Sequence, residues 1–159
     1  MQTRMIVIKD NIEKCMEVGI IGCTEGRAGI NVTRLAELLP GDKVIMYATG
    51  ISKFAGIAEV TDSIYQDETK IWDDGIYPYR IKIKPVIYLP KNKWIDVRTV
   101  VDDMEYFKNK VQWSMHFMQN IRPVSDKDYK LLEKKMKELL KKKFFCYFKD
   151  FFKIIIGKI

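Results

Sequence analysis

Apolar and polar positions alternate along this chain in two distinct periods, and the change from one to the other marks its elements. Arg4 to Lys9 reads Arg-Met-Ile-Val-Ile-Lys, a short β-branched run expected of a central strand. From Asn11 to Val18 the period becomes helical: Ile12, Met16 and Cys15 share a face, Asp10 or Asn11 is placed to cap, Glu13 stands three residues after Asp10, and Gly19 occupies the usual stop. Gly22 to Gly29 reads as a loop. Leu35, Leu38 and Leu39 recur at helical spacing, which predicts a second short helix over Val32 to Leu38, ended by Pro40-Gly41-Asp42. Lys43 to Ala48 and Lys53 to Val60 flank Gly50-Ile51-Ser52 and predict a hairpin.

Tyr79 to Lys84 alternates strictly, so Ile81 and Ile83 belong to a core face while Arg80, Lys82 and Lys84 share the other. Those three charges are either a solvated strand face that deters edge pairing or a track for phosphates. The segment Asp67 to Pro78, with Trp72-Asp73-Asp74-Gly75-Ile76-Tyr77-Pro78 inside it, is too rich in turn formers for regular structure and reads as a loop carrying two large rings. Arg98 to Phe107 reads as a short helix or turn, and Val111 to Phe117 as a final strand. Ser125, with Asp128 three residues on, opens a helix whose apolar stripe is Tyr129, Leu132, Met136, Leu139 and Leu140, running from Asp126 to about Lys143. Five or six strands punctuated by short helices describe an α+β mixed barrel rather than a doubly wound sheet.

Length and charge narrow the picture. At 159 residues the chain has room for one core. The formal net charge is +7, yet the excess is local: from Lys134 onward nine lysines face only Glu138 and Asp150, while the first 133 residues hold 19 basic and 19 acidic groups. Attraction of polyanions is therefore a property of the tail. Three cysteines, Cys15, Cys23 and Cys146, form no CxxC pair and argue against a disulfide framework. With no long apolar run, the chain reads as cytoplasmic and without integral membrane association. Abundant Ile and Lys beside few Gln and one His are compatible with a thermophilic source.

Catalytic patterns are sparse. His116 is the one histidine, in Trp113-Ser114-Met115-His116-Phe117, and no carboxylate stands nearby to orient it. One histidine and scattered cysteines give no zinc spacing, Asp73-Asp74 and Asp102-Asp103 suit turns, and the glycines around Gly50 to Gly56 make no phosphate loop, so neither a metal nor a cofactor is expected. The expectation is a binding module; a small hydrolase or nucleobase-acting enzyme using His116 is the alternative.

Several blocks then resemble, in order, the EVE-domain family: Leu39-Pro40-Gly41-Asp42-Lys43-Val44-Ile45-Met46-Tyr47, Phe54 to Val60, Tyr77-Pro78-Tyr79-Arg80 to Pro85, and Trp113 to Phe117 before Asp128-Tyr129. The resemblance runs from about residue 3 to 140 and implies a PUA-like open mixed β-barrel with flanking short helices and a long C-terminal helix. It implies residues 1–141 as the domain and 142–159 as a basic aromatic extension. It also implies recognition of a modified, most simply methylated, base in DNA or RNA. Following the related YTH domains position by position, Trp72 and Tyr77 stand where two walls of an aromatic cage belong, and Ile21 where the third aromatic wall would be. Asn11 matches an amide that bonds the base edge, and Cys23 or Thr24 lies on the segment contacting the exocyclic group. Trp113 is a further wall or support, and Arg80, Lys82 and Lys84 are the expected contacts to the nucleic-acid backbone.

The extension is too short and charged to span a bilayer and too aromatic to stand in water. Continuation of the last helix over the barrel is the plain reading. Among functional ones, a protein contact, as in a homodimer through residues 144–159, is preferred to a membrane surface because the apolar residues fall on more than one helical face.

Overall fold

The computed structural model describes the backbone of residues 1–156 and the side chains of residues 1–141. Its strands are β1 (Thr3–Ile8), β2 (Ile20–Cys23), β3 (Lys43–Ala48), β4 (Lys53–Val60), β5 (Tyr65–Gln66), β6 (Tyr79–Tyr88), β7 (Ile95–Asp96) and β8 (Ile121–Pro123), and its helices α1 (Ile12–Val18), α2 (Ile30–Ala36) and α3 (Asp126–Ile156). The strands form one mixed sheet in the order β2-β6-β4-β3-β1-β8, with β5 added to β6 and β7 to β4. β1 and β3 run parallel, Met5 opposite Ile45, and the other ladders are antiparallel. Register shifts at Met46/Tyr47 and Ile57/Ala58 bend the central strands and let the sheet curl into an open barrel.

The core follows the alternation. Met5, Val44, Ile45, Met46, Phe54, Ile57 and Ile81 are fully enclosed. α1 buries Ile12, Cys15 and Met16, and α3 buries Tyr129, Leu132 and Met136. Gly19 ends α1 in the left-handed conformation, φ 70°, with its N–H on the Cys15 carbonyl. Asn11, however, makes no capping bond to α1; its Nδ2 donates to Asp74 Oδ1 at 2.8 Å. At α3 the Asp128 N–H donates to Ser125 Oγ at 3.2 Å, as the capping pattern predicts. The Asp128 carboxylate does not reach back in return; buried, it accepts from the N–H groups of Glu105 and Tyr106 at 2.9 and 2.7 Å and ties that loop to the helix.

Several segments differ from expectation: α3 runs on to Ile156, past the expected end near Lys143, and α2 spans Ile30–Ala36 rather than Val32 to Leu38. Ile20 to Cys23, whose last two residues read as loop, pairs with β6 as an edge strand, Gly22 opposite Arg80. Val111 to Phe117 is not a strand: Asn109 Oδ1 accepts from the N–H groups of Val111 and Gln112 and starts a turn, and Trp113–Phe117 continues as a 3-10 helix. Of that stretch Phe117 is buried and Trp113 and His116 half-buried, a helical spacing that a short sequence with alternating rings can also satisfy. The final strand is instead β8, against β1. Among the described residues no helix is long and apolar enough to cross a membrane. The expected subunit contact through residues 144–159 lies outside the described side chains.

Candidate functional site

Where the end of β1, the start of α1, β2 and the 67–78 loop meet, the sheet leaves a cavity of about 220 Å³. Small-molecule pockets usually span about 300–1,000 Å³, so the space suits one planar ring system better than a larger ligand. Its inner wall is apolar, from Ile6, Ile21 and Leu35, and its mouth is polar, from Asn11, Thr24 and Asp74.

The 67–78 loop delivers the two rings. Trp72 and Gly75 form an isolated bridge across the Asp73-Asp74 turn, and the Trp72 and Tyr77 rings meet edge to face, 5.2 Å between centroids at 88°. Trp72 is inserted rather than displayed, with 2% exposure. Gly22 makes that possible: a Cβ there would lie 2.6 Å from the Trp72 ring and 2.7 Å from the Tyr77 Cβ. Beneath the loop, Arg80 donates from Nε to the Tyr77 carbonyl at 2.9 Å and from a terminal nitrogen to the Thr69 carbonyl, and pairs with Asp67 at 3.0 Å. Its guanidinium also lies over the Trp72 ring, 5.5 Å from the centroid. One buried cation thus ties both ends of the loop to β6.

Asp74 braces the mouth. Its Oδ1 accepts from Asn11 Nδ2 and its Oδ2 from the Tyr77 hydroxyl, each at 2.8 Å. The Asn11 bond, and then that of Tyr77, hold the Asp74 carboxyl below its ordinary range, and the same carboxylate, after burial, raises the Tyr77 phenol. Both cavity cysteines are protonated thiols near neutrality: burial pushes Cys15 and Cys23 up to about 11, which makes neither a ready nucleophile.

The structure therefore brings Asn11, Ile21, Cys23, Thr24, Trp72 and Tyr77 to one cavity. Trp113 is not among its lining residues: it packs against Phe117, 6.2 Å between centroids, in a separate aromatic cluster. Arg80 is corrected as well. It shares a strand face with Lys82 and Lys84, but the loop and β5 cover it, so at full burial it has no surface to offer a phosphate. Lys82 and Lys84 remain exposed, paired with Asp62 at 3.3 Å and Glu59 at 3.7 Å, and neither lines the cavity. His116 lies in the aromatic cluster, where its Nε2 accepts from the Asn109 N–H at 3.3 Å; burial and then the charges of Arg122 and Lys108 lower its pKa. Among the described residues no group of three or more His, Cys, Asp and Glu is arranged to hold a metal ion.

Comparison with known proteins places these features in a family. The EVE domain family model matches residues 9–135, a span containing every residue of the cavity's polar mouth. The chain is a member of the EVE domain family. A relative, the UPF0310 protein PH1033 of Pyrococcus horikoshii, is 36% identical over 115 residues, 63% of this chain and 77% of that one. Two solved structures share the fold. The YTH domain of the Zygosaccharomyces rouxii MRB1 protein, in complex with N6-methyladenosine RNA, has a TM-score of 0.58 at 17% identity, covering 84% of this chain and 86% of its own. Human THYN1, in complex with 5-methylcytosine-containing DNA, has a TM-score of 0.55 at 11% identity, covering 83% and 95%. The α+β fold of this EVE domain is thus the PUA-like open barrel that the sequence blocks imply.

Three residues that shape the EVE domain's cavity escape pattern reading. Asp74 sits in an Asp-Asp-Gly run that any turn would explain, Gly22 in an edge strand that composition disguises as loop, and Arg80 in a basic stripe. The one available signal was Arg80's place at the strand end next to a Trp-bearing loop, where an uncovered arginine and an uncovered ring have reason to cover each other.

Proposed function

We propose that this EVE domain is a non-catalytic reader that takes one modified base, most simply a methylated one, out of a DNA or RNA strand into the cavity beside Trp72 and Tyr77. The observation that carries the reading is the convergence of Asn11, Ile21, Cys23, Thr24, Trp72 and Tyr77 on one cavity sized for a single ring system. The complexes of the MRB1 YTH domain with N6-methyladenosine RNA and of THYN1 with 5-methylcytosine DNA support it from the side of the fold. An apolar floor rewards an added methyl with about 0.8 kcal/mol when it is fully buried. Contact of the base with an aromatic face adds about 1–3 kcal/mol.

On this reading the residues take distinct roles. Tyr77, half-buried and oriented by Asp74, supplies the accessible aromatic surface, while Trp72 sets the cavity's shape from within. Ile21 floors the space and Asn11 and Thr24 stand at the base edge. Arg80 is buried and offers phosphates nothing, whereas the exposed Lys82 and Lys84 are left to position the strand without reading its sequence.

Fluorescence anisotropy with matched modified and unmodified single strands, DNA and RNA, tests the proposal. At least one modified strand should bind about fourfold more tightly than its unmodified match, the ratio that about 0.8 kcal/mol of methyl burial gives, since stacking is common to both. Tyr77→Ala should erase that ratio while the circular dichroism spectrum stays native. Equal binding of every modified strand and its match would dismiss the reading.

A further inference from the structure

Helix α3 carries two apolar stripes that do not share a face. Its first half rests on the sheet through Leu132 and Met136, with Leu139 half-buried on the same line. Continued by the same steps of three and four residues, that line meets Lys143, Cys146 and Asp150, so the barrel-facing stripe ends near Leu140. The helical backbone nevertheless runs on to Ile156, about 24 Å beyond Leu140. A second stripe begins there. At about 100° per residue, every Phe, Tyr and Ile position of 142–156 falls within an arc of about 200° centred on Phe144, Phe148, Phe151 and Ile155, and Lys142, Lys143, Lys149, Asp150 and Lys153 fall in the remainder. This stripe is turned from the first by about a third of a turn. Folding the helix over the barrel would therefore lay Lys143 and Asp150 on the core instead of the phenylalanines.

On one continuous helix the several apolar faces of this segment are neighbours and merge, which removes the ground for preferring a subunit contact. An arc of about 200° is about twice the stripe that a helix usually buries against protein, and a two-helix seam is narrower still. The opposite side bears four lysines against one acid, a charge that a second copy would repel and an anionic surface would attract. We infer that residues 142–156 form an interfacial helix that lies on an anionic lipid surface, its phenylalanine arc at the acyl boundary and its lysines among the headgroups, which makes this EVE domain a peripheral membrane protein. A broad Phe-rich face backed by lysines is the composition of helices that lie in the interface, and lysine stems reach from the apolar boundary to the headgroups. Fifteen residues with five charges are too short and too polar to cross the bilayer, so the association is reversible and depends on apolar area and charge together.

Flotation of the full chain with vesicles tests this, because self-association cannot imitate it. Vesicles of phosphatidylcholine alone are compared with vesicles of equal parts phosphatidylcholine and phosphatidylglycerol. The wild type should bind the mixed vesicles about tenfold or more tightly than the neutral ones. Lys149→Gln should lose about fivefold on the mixed vesicles and little on the neutral ones. Phe148→Glu should lose about tenfold or more on the mixed vesicles, and Cys146→Ser, on the charged side, should lose nothing. Variants are compared at native melting temperature, and Phe151→Glu replaces Phe148→Glu if the latter misfolds. A wild type that stays with the buffer overturns the inference; if it also sediments as a dimer that Phe148→Glu dissociates, the arc belongs to a second copy. Binding that Lys149→Gln weakens and Phe148→Glu does not overturns it as well, leaving a polybasic segment without an inserted face. None of these results bears on base reading, since no residue lining the cavity lies in α3.

Discussion

Among the described residues, one aromatic cluster packs ring on ring and another lines the cavity at the 67–78 loop. Around Phe117, the rings of Tyr47, Phe54, Tyr106, Phe107 and His116 close on one another, with Tyr47 and Phe117 stacked 3.5 Å apart at 3°. At the cavity there are two rings, and the groups that fix them are charged or polar: Arg80 beneath Trp72, Asp74 against the Tyr77 hydroxyl. Rings that fix rings fill their own volume, whereas rings fixed from behind by a guanidinium and a carboxylate hold a shape open in front. Aromatic density in a sequence therefore points to a core, and aromatics interleaved with Asp, Gly and Pro point to a wall.

The largest effects should fall on the closed region and spare binding. Phe117→Ala removes the ring on which the cluster converges and should cost about 3–5 kcal/mol, a fall in melting temperature of about 10 °C for a chain of this size, measured by calorimetry. The fraction still folded at 20 °C should discriminate modified strands as the wild type does. Arg80→Met reverses that weighting. Two backbone carbonyls lose their donor and Trp72 its cation, at about 2–3 kcal/mol, since Asp67 is partly exposed and retains water. The loop loses its tether, and discrimination should disappear entirely; a variant that reads bases normally would refute the tether.

Gly22→Ala comes next. The added methyl cannot coexist with the present Trp72 ring and Tyr77 Cβ, so one of them must move, for about 1–3 kcal/mol of overpacking. A cavity that shrinks should bind weakly in a protein that still melts cooperatively. Trp113→Ala should be the mildest of the four, because Trp113 is half-buried at the edge of the cluster and does not line the cavity. A stability loss near 1 kcal/mol with unchanged binding is expected; loss of binding in a protein of native stability would return Trp113 to the site.

The same contrast explains what the sequence discloses. Elements with one clean period were legible: β1, the β3-β4 hairpin, β6 and the helices, because half-burial imposes period 2 or 3.6 on the residues themselves. β2, β5, β7 and β8 were not, since strands of two to four residues take their pairing from neighbours instead of from pattern. At the cavity, six residues could be named through resemblance, because a family's pocket keeps its register along the chain. Asp74 and Arg80 could not, because what defines them is the partner: Asn11, 63 residues away, for one, and the carbonyls of Thr69 and Tyr77 for the other. Trp113 failed for the opposite reason, its ring being indistinguishable in sequence from a wall until the 3-10 turn places it against Phe117.

The two regions should also part on acidification, in different pH windows. In the closed cluster His116 has a depressed pKa, from burial and from the positive charges of Arg122 and Lys108. The unfolded chain then binds a proton more readily than the folded one, so this contribution is complete above the ordinary histidine value of about 6.5 and is lost as pH falls through and below it. At the cavity Asp74 is depressed by Asn11 and Tyr77, and Asp67 by the Thr69 N–H. Their contribution is present above the ordinary carboxylate value of about 4 and is lost only as pH falls through the lower folded value. Melting temperature should therefore slip slightly between pH 7 and 5, and His116→Gln should flatten that slope, since the variant has nothing to titrate there. Binding of the preferred strand, corrected for the folded fraction, should hold across the same interval and fail only well below the ordinary carboxylate value of about 4, as Asp74 takes a proton and releases its brace on Asn11 and Tyr77. Binding that weakened between pH 7 and 5 in step with the His116-dependent slope would mean that the cluster and the cavity act as one unit, and the separation drawn between them would be lost.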